Sequence, residues 1–549
     1  MAYLIRNPAV WIPLTAALLA AIVFCNTLPN DFVWDDNELI VNNPSVHGLS
    51  EAGSFLSRHF WSQSGQPSTR GYYRPFILFS YAVDYTLWGP NPLGFHLTNL
   101  LWHALASALV GLFILRVTNS STAALVAGAF FAVHPVHVES VAFVSGRTDV
   151  IATALMLVSI LLFFRRNDGR AGNLKVALSL AFFALALLAK EIAVVLPALV
   201  LVGDLARKSA GGKRAAWPVH TIYWLVLALY LTARFGLLNI APSLQEKLSP
   251  REILFTMPLV FWDYLRLLVL PIHLCADYVV HVQQGPTIAN LAAIGALIIA
   301  GGAIAFSLIF SVGAQHAAPA RRIAARSVTA FFATWIFLGL LPVLQIIPIS
   351  ALKAERFLYL SSVGFCALVG MVVSSEVNRM NVCGKPAQAA RHFLNAALII
   401  VMVVLSVLTI RRNTVWKNEF VLYHTTVLCA PDNFRVQYNL GNAYFRKGDV
   451  QNAIRHTEIA LQLRPDLPQA SYNLGVMHAA QGSFDKAEAM YRRAIQLDPS
   501  YALAHNNLAV LLYSRGNLQE AKAEWQKALS LDPTLEQARE GLSILGVRP

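Results

Sequence analysis

Long apolar stretches recur along the first 410 residues, near 9–28, 95–115, 122–134, 150–164, 174–189, 192–206, 218–235, 254–270, 290–312, 328–345, 357–375 and 393–410, with short polar loops between them. A membrane-crossing helix needs about 20 mainly apolar residues, so most of these stretches can cross, and the third and fourth borrow apolar neighbours. Basic residues in short loops set orientation. With Arg6 inside, Arg116, Arg165, Arg170, Arg207, Lys213 and Arg214 fall on the same side, and the loops holding Asp35, His134–Asp149 and Lys190–Glu191 fall outside. A crossing at 254–270 would break the alternation, because Arg321, Arg322 and Arg326 would move outside. That stretch carries Asp263 and Arg266 and ends at Pro271, so it reads as a re-entrant or interfacial helix. About eleven crossings result, with Arg379, Lys385 and Arg391 inside and the C-terminal part outside. The run 9–28 has no small-residue cleavage site after it and reads as an uncleaved anchor.

After Ile410 the pattern becomes that of polar, amphipathic helices with a strict period. Pro431, Pro465, Pro499 and Pro533 are 34 residues apart, as are Gly448, Gly482 and Gly516, and Ala453, Ala487 and Ala521; Leu440, Leu474 and Leu508 each follow an Asn at the same spacing. A 34-residue unit of paired helices, small where the two approach and closed by Pro, is the tetratricopeptide repeat. Three units fill 434–533, a linker and partial unit occupy 411–433, and a capping helix lies in 534–549. Thr457 stands where a large residue is usual and Ala509 where Gly is usual; neither threatens the fold. Such arrays stack into a concave surface that binds protein. The fold class expected is all-α: a polytopic membrane domain over 1–410, with a large first external loop at 29–94, followed by a repeat α-solenoid.

Composition sharpens this picture. Of 549 residues 56% are hydrophobic and 13% charged, against roughly 25% charged in soluble proteins, which makes the lipid bilayer a partner. The net charge of +13 sits largely in loops, so no nucleic acid is expected. Cys25, Cys275, Cys366, Cys383 and Cys429 are scattered and indicate neither a disulfide framework nor a zinc site.

The candidate chemistry gathers outside the membrane. Asp31, Asp35, Asp36 and Glu38 follow the first span, and acidic groups at a membrane boundary are costly enough to suggest function. In the same loop Trp34, Trp61, Tyr72, Tyr73 and Trp88 argue for order at the membrane surface, and 76–88, which holds Asp84, reads as an interfacial helix. Asp35 and Asp36 are the catalytic candidates: one carboxylate, with Asp36 the favoured of the two, takes a proton from an acceptor hydroxyl while the other orients or binds. Arg74, Arg147, Lys190, Arg234 and Arg356 lie at similar depth and suit a phosphate, Arg by bidentate contact and Lys as a point charge. Glu38, His134, His137, Glu139, Asp149, Glu191 and Glu355 are supporting polar groups. His134, His137 and Glu139 are metal-ligand types, but two histidines around Pro135 read better as a polar cavity loop, so neither metal nor cofactor is expected. Gly146, in Ser145–Asp149, is a place where backbone can approach a ligand closely.

These residues resemble a known family, the transmembrane and tetratricopeptide repeat-containing O-mannosyltransferases, which join a GT-C-type membrane domain to a luminal repeat tail. The resemblance runs over nearly the whole chain. It rests on Phe32-Val33-Trp34-Asp35-Asp36, Tyr73-Arg74-Pro75, Gly94-Phe95-His96-Leu97-Thr98-Asn99-Leu100 with His103, His134-Pro135 through Glu139, Gly146-Arg147-Thr148-Asp149, Ala189-Lys190-Glu191 and Glu355-Arg356-Phe357-Leu358-Tyr359-Leu360, in that order and followed by the repeats. The chain looks like a compact bacterial member. The resemblance implies a polyprenyl-phosphate-linked sugar donor, a mannose-like sugar, and transfer with inversion to a hydroxyl such as Ser or Thr of an exported protein. It also implies that Asp35 and Asp36 match the family's acidic pair and that the repeats hold the acceptor or another protein. The location implied is the bacterial inner membrane with external repeats, or the ER membrane with luminal repeats in a eukaryote. The rival reading is a non-catalytic membrane-anchored repeat scaffold, for which one span would do. A transporter would show polar residues at mid-membrane and paired repeats among the spans.

Overall fold

The computed structural model describes residues 7–62, 71–165, 169–209, 217–240, 247–313, 320–346, 348–382 and 387–546. Arg6, Lys213, Arg214, Cys383 and Lys385, and the side chains of Arg321 and Arg322, lie outside that description. The described regular structure is helical, so the all-α expectation holds. Two compact units emerge, one of 1–276 and 280–418 and the other of 277–279 and 419–549.

Among the described residues of the first unit, eight helices are long and apolar enough to cross a membrane: Pro8–Thr27, Pro92–Thr118, Val144–Phe164, Arg170–Ala189, Ile288–Leu308, Ala325–Val343, Glu355–Met380 and Gln388–Trp416. A ninth arises if Ser121–Val133 and Pro135–Ala142, bent by 51° at their junction, form one broken span. Eleven were expected from the sequence, and the difference has a physical cause. Leu196–Ser209 ends in Asp204, Arg207 and Lys208, and Trp217–Leu231 runs on into the π-helical Thr232–Leu237 with Arg234, so neither offers the uninterrupted apolar length of about 20 residues that a crossing needs. The stretch 254–270 lies in the helix Pro250–Val269, opened by a Ser249–Glu252 capping box and carrying Pro258 inside; it is not one of the eight.

Small residues bring the bundle's centre together. We label Pro8–Phe24 α1, Pro75–Trp88 α2, Pro92–Thr118 α3, Ser121–Val133 α4, Val138–Ala142 α5 and Arg147–Phe164 α6. A Cβ on Gly128 of α4 would stand 3.2 Å from the Gly111 Cα of α3, a closeness that membrane helices reach only with small residues. Pro135 cannot continue α4 and turns the chain into the compact segment 134–149. At the periphery, Ile298, Ile299, Phe306, Phe393 and Ile399 are exposed, the outward apolar face expected of lipid-contacting helices.

The second unit stacks helical hairpins from Phe434 to Leu531, with Glu419–Cys429 before them and Glu536–Ile544 after. Gly448, Gly482 and Gly516 hold φ of +80°, +81° and +83°, the left-handed turn between paired helices that glycine adopts without strain. Thr457 faces Gly441, and Tyr491 faces Gly475 one repeat later. Ala509 and Trp525, one repeat further on, pack in the same apolar cluster. Cys429 is disulfide-bonded, although the scattered cysteines indicated no disulfide framework in the sequence.

Candidate active site

The acidic loop begins where α1 ends. Asp31 donates its N–H to the Lys417 carbonyl at 2.9 Å, and Trp34 then takes a left-handed φ of 54°, a conformation unfavourable for a bulky residue. One helical turn follows, running into Asn37–Val41. Asp36 closes the turn reciprocally: its N–H donates to Val33 O at 3.0 Å, and its Oδ2 accepts from Val33 N at 3.2 Å. Its Oδ1 accepts from Ser145 N at 2.8 Å and Ser145 Oγ at 2.5 Å. Adjacent residues on such a turn point apart. Asp36, favoured as the base from the sequence, is fully buried and bonded to Val33 and Ser145, whereas Asp35 lines a cavity. Burial pushes the Asp36 carboxyl up to about 7, against the pull of Ser145 and Val33 as donors.

Beside this turn lies a cavity whose empty space, open solvent at its mouth included, is about 1190 Å³. Four cations, Arg74, Lys190, Arg234 and Arg356, and two carboxylates, Asp35 and Glu191, lie in its wall, with Ser145 and Thr148 beside them. The aromatic residues Phe60, Trp61 and Tyr72 form one part of the lining. Leu231, Phe235 and the segment Pro342, Val343 and Pro348–Ala351 form another.

Each cation is oriented by a carboxylate. Arg74 donates to Glu191 Oε2 from Nε at 3.0 Å and Nη2 at 2.9 Å, while Arg234 Nη1 stands 3.5 Å from Glu191 Oε1. Burial opposes the Glu191 charge, yet the Arg74 and Arg234 guanidiniums hold its carboxyl below the usual range. Burial likewise works against Arg74, and the Glu191 carboxylate together with Tyr72 and Asp149 more than offsets it. Lys190 Nζ donates to Asp149 Oδ2 at 2.5 Å. Burial, with Arg74 and Arg356 nearby, nevertheless pulls Lys190 down to about 8 against the pull of Asp149. Arg356 pairs with the fully buried Glu139 through its guanidinium and, at 2.9 Å, through its backbone N–H.

Arg147 does not join this group, contrary to its placing as a phosphate ligand. It is wholly buried: Nε donates to Asn99 Oδ1 at 2.8 Å, Nη1 to Asp84 Oδ2 at 2.6 Å and Nη2 to Phe95 O at 3.0 Å. It therefore ties α6 to α2 and α3, with Asp84 as its counter-charge. His134 and His137 are also buried away from the cavity. His134 Nε2 contacts Leu268 O at 3.0 Å, and the two His137 nitrogens contact Phe131 O and Ser362 Oγ, each at 2.8 Å. Among the described residues no group of three or more His, Cys, Asp or Glu is arranged to hold a metal ion. Glu355 is buried and accepts from Arg412 at 3.0 Å, and neither it nor Glu38 lines the cavity. A Cβ at Gly146 would meet Glu139 O at 2.4 Å, so the close approach there is to α5 and not to a ligand.

The segment 139–149 is thus the organiser of the site. Glu139 holds Arg356, Ser145 holds Asp36, Arg147 holds Asp84 and Asp149 holds Lys190. Two parts of the wall escaped sequence reasoning: Ser145 as the partner of Asp36, and the stretch Pro342–Ala351. Pro342 and Pro348, closing a span, were the only sequence signal for the latter.

The tetratricopeptide repeat family model matches residues 422–468, 438–502 and 478–536. A protein O-mannosyl-transferase of Caenorhabditis elegans is 28% identical over 460 residues, covering 81% of this chain and 62% of its own length. The protein O-mannosyl-transferase TMTC1 of Homo sapiens is 27% identical over 510 residues, with 82% and 55% covered. Tmtc1 of Drosophila melanogaster is 28% identical over 533 residues, with 82% and 61% covered. The chain spans less than two thirds of the length of these curated relatives.

Proposed function

We propose that this chain, a relative of the protein O-mannosyl-transferases as its motifs implied, is itself a membrane glycosyltransferase. In this reading it moves a mannose-like sugar from a polyprenyl-phosphate carrier to an acceptor hydroxyl, on Ser or Thr of an exported protein. The observation that carries the reading is one cavity whose wall holds Asp35 together with Arg74, Lys190, Arg234 and Arg356. Asp35 takes the acceptor proton as the oxygen attacks the anomeric carbon from the face opposite the phosphate. The new carbon–oxygen bond forms as the sugar–phosphate bond breaks, so the configuration inverts and the electron pair leaves with the polyprenyl phosphate. Charge grows on that leaving oxygen in the transition state, where preoriented cations lower the barrier most. The carboxylates behind the cations hold them in place before the donor arrives, which limits the reorganisation needed during reaction.

The apolar part of the wall, from Leu231 and Phe235 to Val343 and Ile349, suits the first isoprene units of a lipid carrier. The disulfide-bonded state of Cys429 suits an oxidising compartment, and so favours an external or luminal face. The repeats supply a surface of the kind that binds protein, fitting an acceptor or a partner. The decisive test purifies the chain in lipid nanodiscs and measures mannose transfer from polyprenyl-phosphate mannose, with Asp35→Asn alongside. We expect Asp35→Asn to lose at least about a hundredfold in turnover. Full transfer by that variant would remove Asp35 as the base, and no transfer by the parent chain with any acceptor from exported protein would favour the scaffold reading.

A further inference from the structure

We propose that Asp36 is a positioning residue whose carboxylate locks the left-handed turn at Trp34 onto Ser145, and in doing so aims Asp35 into the cavity. The inference rests on the reading of Asp35 as the base and assigns its neighbour a different task. Trp34 sits between two residues that are bonded to each other, Val33 and the Asp35–Asp36 turn. Val33 is joined to Asp36 in both directions, N–H to carboxylate at 3.2 Å and carbonyl to N–H at 3.0 Å. Ser145, on the cavity wall, gives Asp36 Oδ1 two donors, at 2.8 and 2.5 Å. Three donors converge on one buried carboxylate, and a carboxylate answers them with two accepting oxygens where an amide would offer one. A residue with a Cβ does not rest in the left-handed region unless its surroundings impose it. Without the Asp36 clasp the turn has reason to relax, and Asp35, on the next residue, would swing with it. Trp34 also packs its ring 6.2 Å from Phe143, two residues before Ser145, so the acidic loop and the 143–145 strip are held together on both sides of the turn.

The clasp predicts a separation that disruption of the fold would not give. The donors to Asp36 are Val33 and Ser145 rather than the four cavity cations, so donor binding should survive its loss while turnover does not. The experiment uses the full chain in nanodiscs, polyprenyl-phosphate mannose as donor and whichever Ser/Thr acceptor the parent glycosylates. It records kcat and the donor KM, with direct binding of polyprenyl phosphate for variants too slow to assay. For Ser145→Ala we expect kcat to fall about tenfold with donor KM within about twofold, and Ser145→Thr to recover most of the loss. For Asp36→Asn, whose amide turns a donor towards a donor, kcat should fall about a hundredfold or more with polyprenyl-phosphate affinity retained. Unchanged kcat in Ser145→Ala, or a donor KM that rises as kcat falls, would overturn the clasp. So would a Ser145→Thr variant whose hydroxyl recovers none of the lost turnover. If Asp36→Asn does not fold, the two Ser145 variants still decide the matter. Full turnover in Asp35→Asn removes Asp35 as the base, the reading on which the clasp rests, whereas loss there with full activity in Ser145→Ala defeats only the clasp.

Discussion

Ion pairs occur in both units, yet they do different things in each. In the membrane unit Arg147–Asp84, Lys190–Asp149 and Arg356–Glu139 each have at least one partner almost wholly hidden from solvent. Along the repeats, Arg492 with Glu520, and Arg515 with Asp485 and Glu488, join neighbouring helices across open surface, and Arg492 also pairs with Glu488 one turn back on its own helix. A buried pair adds little net stability when it forms, but removing one partner strands the other charge and costs about 3–5 kcal/mol. An exposed pair is worth about 0–1 kcal/mol and exchanges freely with water and salt. The membrane unit therefore uses charge to fix geometry, and its side chains cannot be altered singly. The repeats rely on small-residue contacts and apolar clusters, with surface charge as an accessory.

The largest effect that can break this contrast is at Arg147. Arg147→Met keeps the bulk but leaves Asp84, which is buried, with Thr98 Oγ at 2.8 Å as its remaining described hydrogen-bond donor. We expect a loss of about 3–5 kcal/mol, read as a steep drop in thermal stability in detergent and poor recovery of folded protein. Pairing it with Asp84→Leu should recover a large part of the loss. If Arg147→Met alone were as stable as the parent, the buried pairs would not be fixing the unit. A stable single variant that still lost donor binding would return Arg147 to the phosphate ligands.

A smaller effect, of opposite sign in two readouts, is available at Lys190. Its amine is pulled from 10.5 down to about 8, so above that value the cavity loses one of its cations. Polyprenyl-phosphate affinity should fall about tenfold between pH values of about 7 and 9, since the phosphate charge is already complete in that range. Lys190→Arg, which stays protonated, should hold the affinity level. Stability runs the other way. Between about 8 and 10.5 the folded chain binds fewer protons at this site than the unfolded chain, so the Lys190 contribution to stability rises with pH across that window. Binding titrations and thermal melts on the same samples check both slopes. An affinity that does not change with pH in the parent would mean that Lys190 does not contact the phosphate.

The contrast also explains what could be read from the sequence. The repeats announce themselves because the constraint is local and periodic: Gly448, Gly482 and Gly516 recur where each hairpin needs a positive φ. The spans follow from apolar length, but the crossing count does not. The segment Glu191–Val195 is a tight 3-10 turn, and Leu196–Ser209 beyond it ends in Asp204, Arg207 and Lys208. Charged residue types around the cavity were legible, as four of the five basic candidates line it. Their pairings were not. Arg147 and Arg356 look alike in sequence, each a basic residue opening a long apolar helix after a short loop. Only the positions of Asp84 and Asn99, more than forty residues away, bury one while the other faces the cavity. Asp35 and Asp36 differ by the direction a single turn gives them, and that direction depends on Ser145, 109 residues distant.

The smallest expected effect tests the other side of the comparison. Arg515 reaches Asp485 at 2.6 Å and Glu488 at 2.9 Å, but its side chain is about a third exposed, and Asp485 is almost entirely so. Arg515→Ala removes both contacts and should cost no more than about 1 kcal/mol at low salt, with the difference fading as salt rises to about 0.5 M. The measurement is a denaturant melt of the full chain that follows the repeat unit by the hydrogen-exchange protection of its helices from Phe434 to Leu531. Glu488 keeps Arg492 as a partner at 2.9 Å, so no charge is stranded by the change. A loss of about 3 kcal/mol or more, or one indifferent to salt, would mean that the repeats also use ion pairs to fix geometry. The division of labour between the two units would then be wrong, and an acceptor held on the repeats would have to be considered as sensitive to single charge changes as the cavity is.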